Sequence, residues 1–271
     1  MYAWAWVDLR VCRRRRTGSC GLGLAVVSLA RTVPQLLTEQ LATDPTRPLV
    51  TYYDDAAGER IELSVVSFEN AVAKTANLLH GELGADPGDR VALLLPPHWQ
   101  GAVWAVAVAC CAGRLVADPS EAEVVVCGPD TLDEAVAAGA REVVAMALRP
   151  LGGAFPTPLP AGVLDHGVEV PAQSDRFLAI DPPTPETPFL ADESHGAVLD
   201  RARDSAHDLG LADGGRLMTD LSPADPDGLV DGLLAALASS GSVVLVRNLD
   251  PAAVAKRAEQ EQVTTTRWQR G

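Results

Sequence analysis

The sequence predicts an α/β fold of layered, mostly parallel sheets flanked by helices. Continuous apolar runs at 124–127 and 142–147, separated by a helical segment at 131–138, read as strands buried on both faces, as in a covered parallel sheet. The composition agrees. A chain of 271 residues that is 47% hydrophobic but only 4% aromatic suits helices packed on sheets better than an aromatic-rich sandwich.

From Thr32 the elements can be justified in order. Val33, Leu36, Leu37 and Leu41 repeat at helical spacing and stop near Asp44-Pro45. A strand at 49–53, a polar turn at 54–58 and a strand at 60–63 follow. Ser64 or Ser67 caps the next helix, in which Phe68, Val72, Ala76, Leu79 and Leu83 form one apolar stripe ended by Gly84. Asp86-Pro87-Gly88-Asp89 turns the chain into a strand at 90–95, which Pro96-Pro97 ends. The helix predicted at 100–112 is apolar nearly all round, and Gly113 closes it.

The segment 150–188 holds nine of the 20 prolines and little periodicity, so it reads as a surface excursion between two lobes. Beyond it, Ser194 caps a helix at 195–209 with His195, Val198, Leu199, Ala202, Ala206 and Leu209 on one face, closed by Gly210. Strands are predicted at 216–221, 242–247 and 262–266, with a helix at 228–238. Asp250 and Pro251 read as N-cap and first residue of a last helix. The expected organisation is a disordered tail or mis-set translation start at 1–31, a first α/β lobe at 32–149, a Pro-rich connection at 150–190 and a second α/β lobe at 191–271.

Charge and cysteine content narrow the functional classes. Six arginines against Asp8 give residues 1–31 a charge of +5, so the stated −14 leaves −19 on the rest. Such an acidic body repels nucleic acid and anionic membranes, which fits a cytoplasmic protein. The five cysteines have no Cys-x-x-Cys spacing and His80, His98, His166, His195 and His207 are scattered, which disfavours a disulfide framework and zinc. The longest apolar stretch, 102–112, is shorter than the roughly 20 residues a membrane span needs. A secretory signal in 1–31 is disfavoured by its short apolar core and the lack of a small-x-small site before Arg31.

Several segments resemble, in the same order, the N-terminal half of the AMP-binding, acyl-adenylate-forming superfamily: the acyl-CoA synthetases, luciferases and peptide-synthetase adenylation domains. They are 64–68, Ala76-Asn77-Leu78-Leu79, the run from Pro87 to Pro96, 106–113, Ser194-His195 with its helix, 210–221, 232–246 and Val263-Thr264. The resemblance implies that ATP phosphates would be held just before Ser194, in a Ser/Thr/Gly-rich loop ending in lysine. Here the chain reads Pro188-Phe189-Leu190-Ala191-Asp192-Glu193-Ser194, with no glycine and no lysine. A phosphate cradle needs backbone N–H groups and a cation, and this stretch offers two carboxylates. The family's later adenine- and ribose-contacting motifs and its mobile C-terminal domain have no counterpart in the sequence.

No catalytic residue and no metal ligand is nominated, and the cofactor-binding residues are unknown. His195 stands at a position the resemblance makes nucleotide-proximal, yet it opens an amphipathic helix and reads as structural or exposed. Asp225-Pro226-Asp227-Gly228 reads as a turn and helix cap rather than a calcium loop, since the later ligands are missing. Ser239-Ser240-Gly241 lacks a nucleophile elbow, and Gly21-Leu22-Gly23 follows no strand. Trp268 reads as part of a frayed end or of a hydrophobic partner face. The leading expectation is an inactive adenylation-domain-like protein that binds a protein partner or small molecule, without a cofactor. The alternative is an acyl-adenylating ligase using ATP and Mg, completed by another chain.

Overall fold

Among the described residues of the computed structural model, twelve strands form two sheets, and both draw on distant parts of the chain. Residues 29–269 are described; the expectations for 1–28, including Cys12, Cys20 and Gly21-Leu22-Gly23, lie outside the described residues. Helix α1 (Val33–Thr43) is capped by Thr32, whose side chain accepts from the Gln35 N–H in a capping box. It leads to β1 (Pro48–Asp54) and the antiparallel β2 (Glu59–Ser64), then to α2 (Val65–Asn77) with Ser64 as the N-cap. A π-helical turn, Leu78–Glu82, extends α2, so the predicted stripe stays buried from Phe68 through Leu83.

The next strands are β3 (Arg90–Leu94), β4 (Arg114–Val116), β5 (Val124–Cys127) and β6 (Glu142–Ala145), with α3 (Trp99–Cys110) after β3 and α4 (Leu132–Ala137) after β5. Helix α3 is buried from Gln100 to Ala109, as its all-round apolar surface requires. At its end the left-handed residue is Ala112, φ 53°, rather than the expected Gly113. There follow β7 (Val163–Asp165), α5 (His166–Glu169), β8 (Pro188–Leu190), β9 (Glu193–Ser194), α6 (His195–Asp208) and β10 (Arg216–Thr219). The helical stretch 226–238 contains α7 (Pro226–Gly228), a π-helical segment (Leu229–Leu234) and α8 (Ala235–Ala238). The described chain closes with β11 (Ser242–Arg247), α9 (Val254–Gln260) and β12 (Thr265–Arg267).

One sheet has the order β12-β10-β11-β1-β2 and the other β7-β6-β5-β3-β4-β8-β9. All neighbours are parallel except β1 with β2 and β8 with β9. The sheets do not divide at 149 and 190. Strands β1 and β2 pair into the sheet of β10–β12, while β8 and β9 join the sheet of β3–β7. The segment 150–190 is not a bare connection either, since it supplies β7 and α5. Local apolar runs mark a strand but carry no information about its neighbour, which is why the expected lobes differ from the sheets.

Side-chain alternation fixes the layering. On β5, Val124 and Val126 face the main core while Val125 and Cys127 face a second cluster that packs on α4 through Ala135 and Leu132. On β10 and β11, Leu217 and Val243 face the main core; Met218, Val244 and Val246 face a third cluster with Val254 and Ala258 of α9. The result is five layers: α9, the five-stranded sheet, a central layer including α2 and α3, the seven-stranded sheet and α4.

Two predicted features near the end shift. Asp250 does not cap α9. Its carboxylate accepts from the Ala252 N–H in a turn, and the helix begins at Val254 after Ala253. Trp268 is half-buried against the cluster of Met218, Val244 and Val246 rather than frayed. Among the described residues no helix is long and apolar enough to cross a membrane.

Candidate functional site

A crevice of about 490 Å³ opens at the carboxyl ends of the seven-stranded sheet. Its floor is Leu93–Pro96 at the end of β3. The ends of β4 (Val116, Ala117) and β5 (Gly128–Thr131), Leu148 beyond β6 and the 222–226 loop after β10 complete it. Strand order explains the position. From β3 the chain goes through α3 to β4 on one side; from β5, the neighbour of β3 on the other side, it goes through α4 to β6. The two connections diverge and leave an unbridged gap, the usual place for a ligand in an open α/β sheet.

Internal hydrogen bonds hold the walls. The Thr131 hydroxyl donates to the Leu94 carbonyl at 2.7 Å and accepts from the Gly128 N–H at 3.0 Å. The Ser222 hydroxyl donates to the Leu95 carbonyl at 3.2 Å and accepts from the Ala224 N–H, tying the 222–226 loop to β3. Leu148 lines the crevice at φ 51°, a left-handed conformation unusual for a branched side chain. Asp225, expected as a cap, does accept from the Asp227 N–H at 3.3 Å, and its residue also lines the crevice. Sequence reasoning missed the other lining residues. Pro96-Pro97 and Gly128-Pro129 were the available signals, because each ends a strand.

The stretch 188–194 takes a different form from a phosphate cradle. Strands β8 and β9 make a tight hairpin in which Leu190 pairs with Glu193, leaving only Ala191 and Asp192 at the turn. Ala191 has φ 51°, the Asp192 side chain is fully exposed, and Arg114 approaches that carboxylate at 3.4 Å. Beside it, His195 is completely buried. Its Nδ1 accepts from the Val33 N–H at 3.3 Å, and burial pushes its pKa down to about 4. Ser239-Ser240-Gly241 forms the turn between α8 and β11, with Ser240 at φ 53°.

His98 and His166 are also buried. His98 caps α3, its Nδ1 accepting from the Gln100 N–H at 3.2 Å, and packs edge-on to Tyr52 with ring centroids 4.7 Å apart. Burial lowers its pKa to about 3, and that of His166 to about 4. Among the described residues no three His, Cys, Asp or Glu side chains come together as a metal site.

No protein-family model matches the chain. The fold matches solved acyl-CoA synthetases. An acyl-CoA synthetase of Brucella canis superposes with a TM-score of 0.72 and 16% identity, covering 88% of this chain and 47% of that one. The acetoacetyl-CoA synthetase of Streptomyces lividans gives 0.67 and 20% identity, covering 88% and 42%. The chain therefore has the fold of part of an acyl-CoA synthetase, and it spans less than half the length of either structure. A Mycobacterium tuberculosis (strain ATCC 25618 / H37Rv) protein described as a "TIGR03089 family protein" is 43% identical over 234 residues, covering 84% of this chain and 95% of that protein. This chain belongs to the TIGR03089 family.

Proposed function

We propose that this chain is a binding protein on the acyl-CoA-synthetase-like scaffold that does not by itself adenylate a carboxylic acid. The observation that carries this reading is the β8–β9 hairpin. At the position where the sequence resemblance expects a phosphate loop, two strands run into each other through Ala191 and Asp192. Backbone N–H groups that a phosphate would need are committed instead: Ala191 donates to the Leu115 carbonyl at 2.8 Å and His195 to the Thr187 carbonyl at 3.0 Å. Asp192 and Glu193 would repel the phosphates that a lysine should neutralise. On this reading the chain uses no nucleotide cofactor, and its crevice serves binding or regulation. The free Cys110, Cys111 and Cys127 fit a reducing, cytoplasmic setting.

Titration calorimetry with ATP and Mg²⁺, paired with ATP–pyrophosphate exchange over a panel of carboxylic acids, tests it. We expect no heat at millimolar nucleotide and no exchange. Saturable ATP binding near micromolar without exchange would replace this reading with a ligase completed by another chain, and exchange with any acid would show that this chain adenylates by itself.

A further inference from the structure

We propose that the crevice at the carboxyl ends of β3, β4 and β5 takes a small molecule with an apolar body and a positively charged amine head, and discriminates against anions. This rests on the binding reading above and names the ligand class of the same site. A volume of about 490 Å³ falls in the ordinary range for small-molecule pockets. Leu93, Leu94, Leu95, Val116 and Leu148 supply apolar surface for a ligand body.

The polar lining determines the head group. The hydroxyls of Thr131 and Ser222 spend their protons on the Leu94 and Leu95 carbonyls, so neither proton is free for an anion. The Gly128 and Ala224 N–H groups are spent on those same hydroxyl oxygens. The charged side chains of the lining are Asp130 and Asp225, both on exposed residues, and the lining includes no lysine, arginine or histidine. An anionic ligand would meet two negative charges and no cation, while an ammonium group would find acceptors of opposite charge. The chain's net charge of −14 acts in the same direction at long range. The polarity is opposite to what a carboxylic acid or phosphorylated substrate requires.

Octylamine, octan-1-ol and octanoate carry the same apolar tail on three head groups. Each is titrated into the full chain at pH 7, with binding read from the methyl NMR signals of Leu94, Val116, Ala117 and Leu148. The amine is expected to bind at least tenfold more tightly than octanoate at these methyls. Asp130→Lys should erase that preference, and Ala117→Trp should abolish binding of the amine by filling the crevice. A smaller amine-to-acid ratio, or no shift at these methyls with any probe up to millimolar, would overturn the proposal. Either result leaves the nucleotide calorimetry untouched, so a failure here is separable from a failure of the non-adenylating reading.

Discussion

The imidazole of His195 lies stacked on the ring of Phe189, with centroids 4.8 Å apart and planes 18° from parallel. Phe189 is the middle residue of β8 and His195 the first residue of α6, so the stack closes the base of the hairpin that stands before α6. The same imidazole receives the Val33 N–H, an otherwise orphan donor at the start of α1. A neutral ring is required for that bond. His195 is thus a fully buried packing residue that joins β8, α6 and α1.

Its burial has a consequence shared with His98 and His166. All three have folded pKa values depressed from 6.5, to about 4 for His195 and His166 and about 3 for His98, chiefly through desolvation. Between those values and 6.5 the unfolded chain binds protons that the folded chain refuses. Their contribution is complete above pH 6.5 and is lost as pH falls toward 4. Each histidine adds a slope of up to about 1.4 kcal/mol per pH unit. Urea denaturation at pH 7, 6 and 5 should show stability falling steeply, and His195→Gln should remove about a third of the slope. An unchanged slope in that variant would show that His195 is not among the groups responsible.

The sequence made most local elements legible, because they depend on neighbours along the chain. Ser64 and Ser194 cap the helices as expected, β5 and β11 have their expected limits, and the stripe from Phe68 to Leu83 is buried. Pairing was not legible. Val50 lies beside Val243 and Leu115 beside Leu190, and no periodicity within either strand encodes its distant partner. The crevice was hidden for the same reason, since it exists only where β3 and β5 become neighbours. Pro188–Ser194 could be read as lacking phosphate-loop chemistry, but only the backbone reveals that a hairpin occupies the stretch.

Gly228 is fixed by close approach. A β-carbon there would stand 2.0 Å from the Ser222 carbonyl oxygen, a backbone atom with little room to retreat. Gly228→Ala must push the 222–226 loop away from the helical stretch and should cost about 2 kcal/mol or more. Gly232, one turn on, is the control. A β-carbon there would meet Thr219 and Leu221 at 3.6 and 3.7 Å, ordinary contact distances. Gly232→Ala should be neutral or stabilising by up to about 1 kcal/mol. Equal denaturation midpoints for the two variants would refute the steric account.

The described cysteines should be poor nucleophiles in the folded protein. Burial, with Glu69 nearby, pushes Cys110 up to about 12, and burial pushes Cys127 up to about 11. Burial, reinforced by Cys110, also raises Cys111. Such shifts reduce the thiolate fraction at neutral pH by roughly 100-fold or more, and the thiolate is the reactive form. In a Cys12→Ser, Cys20→Ser variant, iodoacetamide labelling should be at least 100-fold slower in buffer than in 8 M urea. Comparable rates in the two conditions would contradict the burial of these thiols.

Glu261 holds the end of α9 against the outer face of the five-stranded sheet. Its carboxylate accepts from the Tyr53 hydroxyl on β1 at 2.5 Å, from Arg60 on β2 at 3.1 Å and from Arg216 on β10 at 2.6 Å. Arg216 also donates to Thr51 on β1 at 2.8 Å and Ser242 on β11 at 3.2 Å, so one ion pair spans four strands. Desolvation raises the Glu261 pKa, but the bonds from Tyr53, Arg216 and Arg60 outweigh it and hold the value below the ordinary 4.5. The carboxylate is 8% exposed and its Arg216 partner 14%, so removing one leaves the other buried without compensation. Glu261→Ala should therefore cost about 3 kcal/mol, as for other broken buried pairs. Glu261→Gln keeps acceptor capacity and should cost less, about 1–2 kcal/mol. In the Glu261→Ala background, Tyr53→Phe should cost less than in the wild type, because its hydroxyl has already lost its acceptor and keeps only the N–H of the exposed Arg60, at 3.0 Å. Urea denaturation of the wild type, Glu261→Ala, Tyr53→Phe and the double variant measures this directly, and additive losses would mean that Tyr53 and Glu261 act independently.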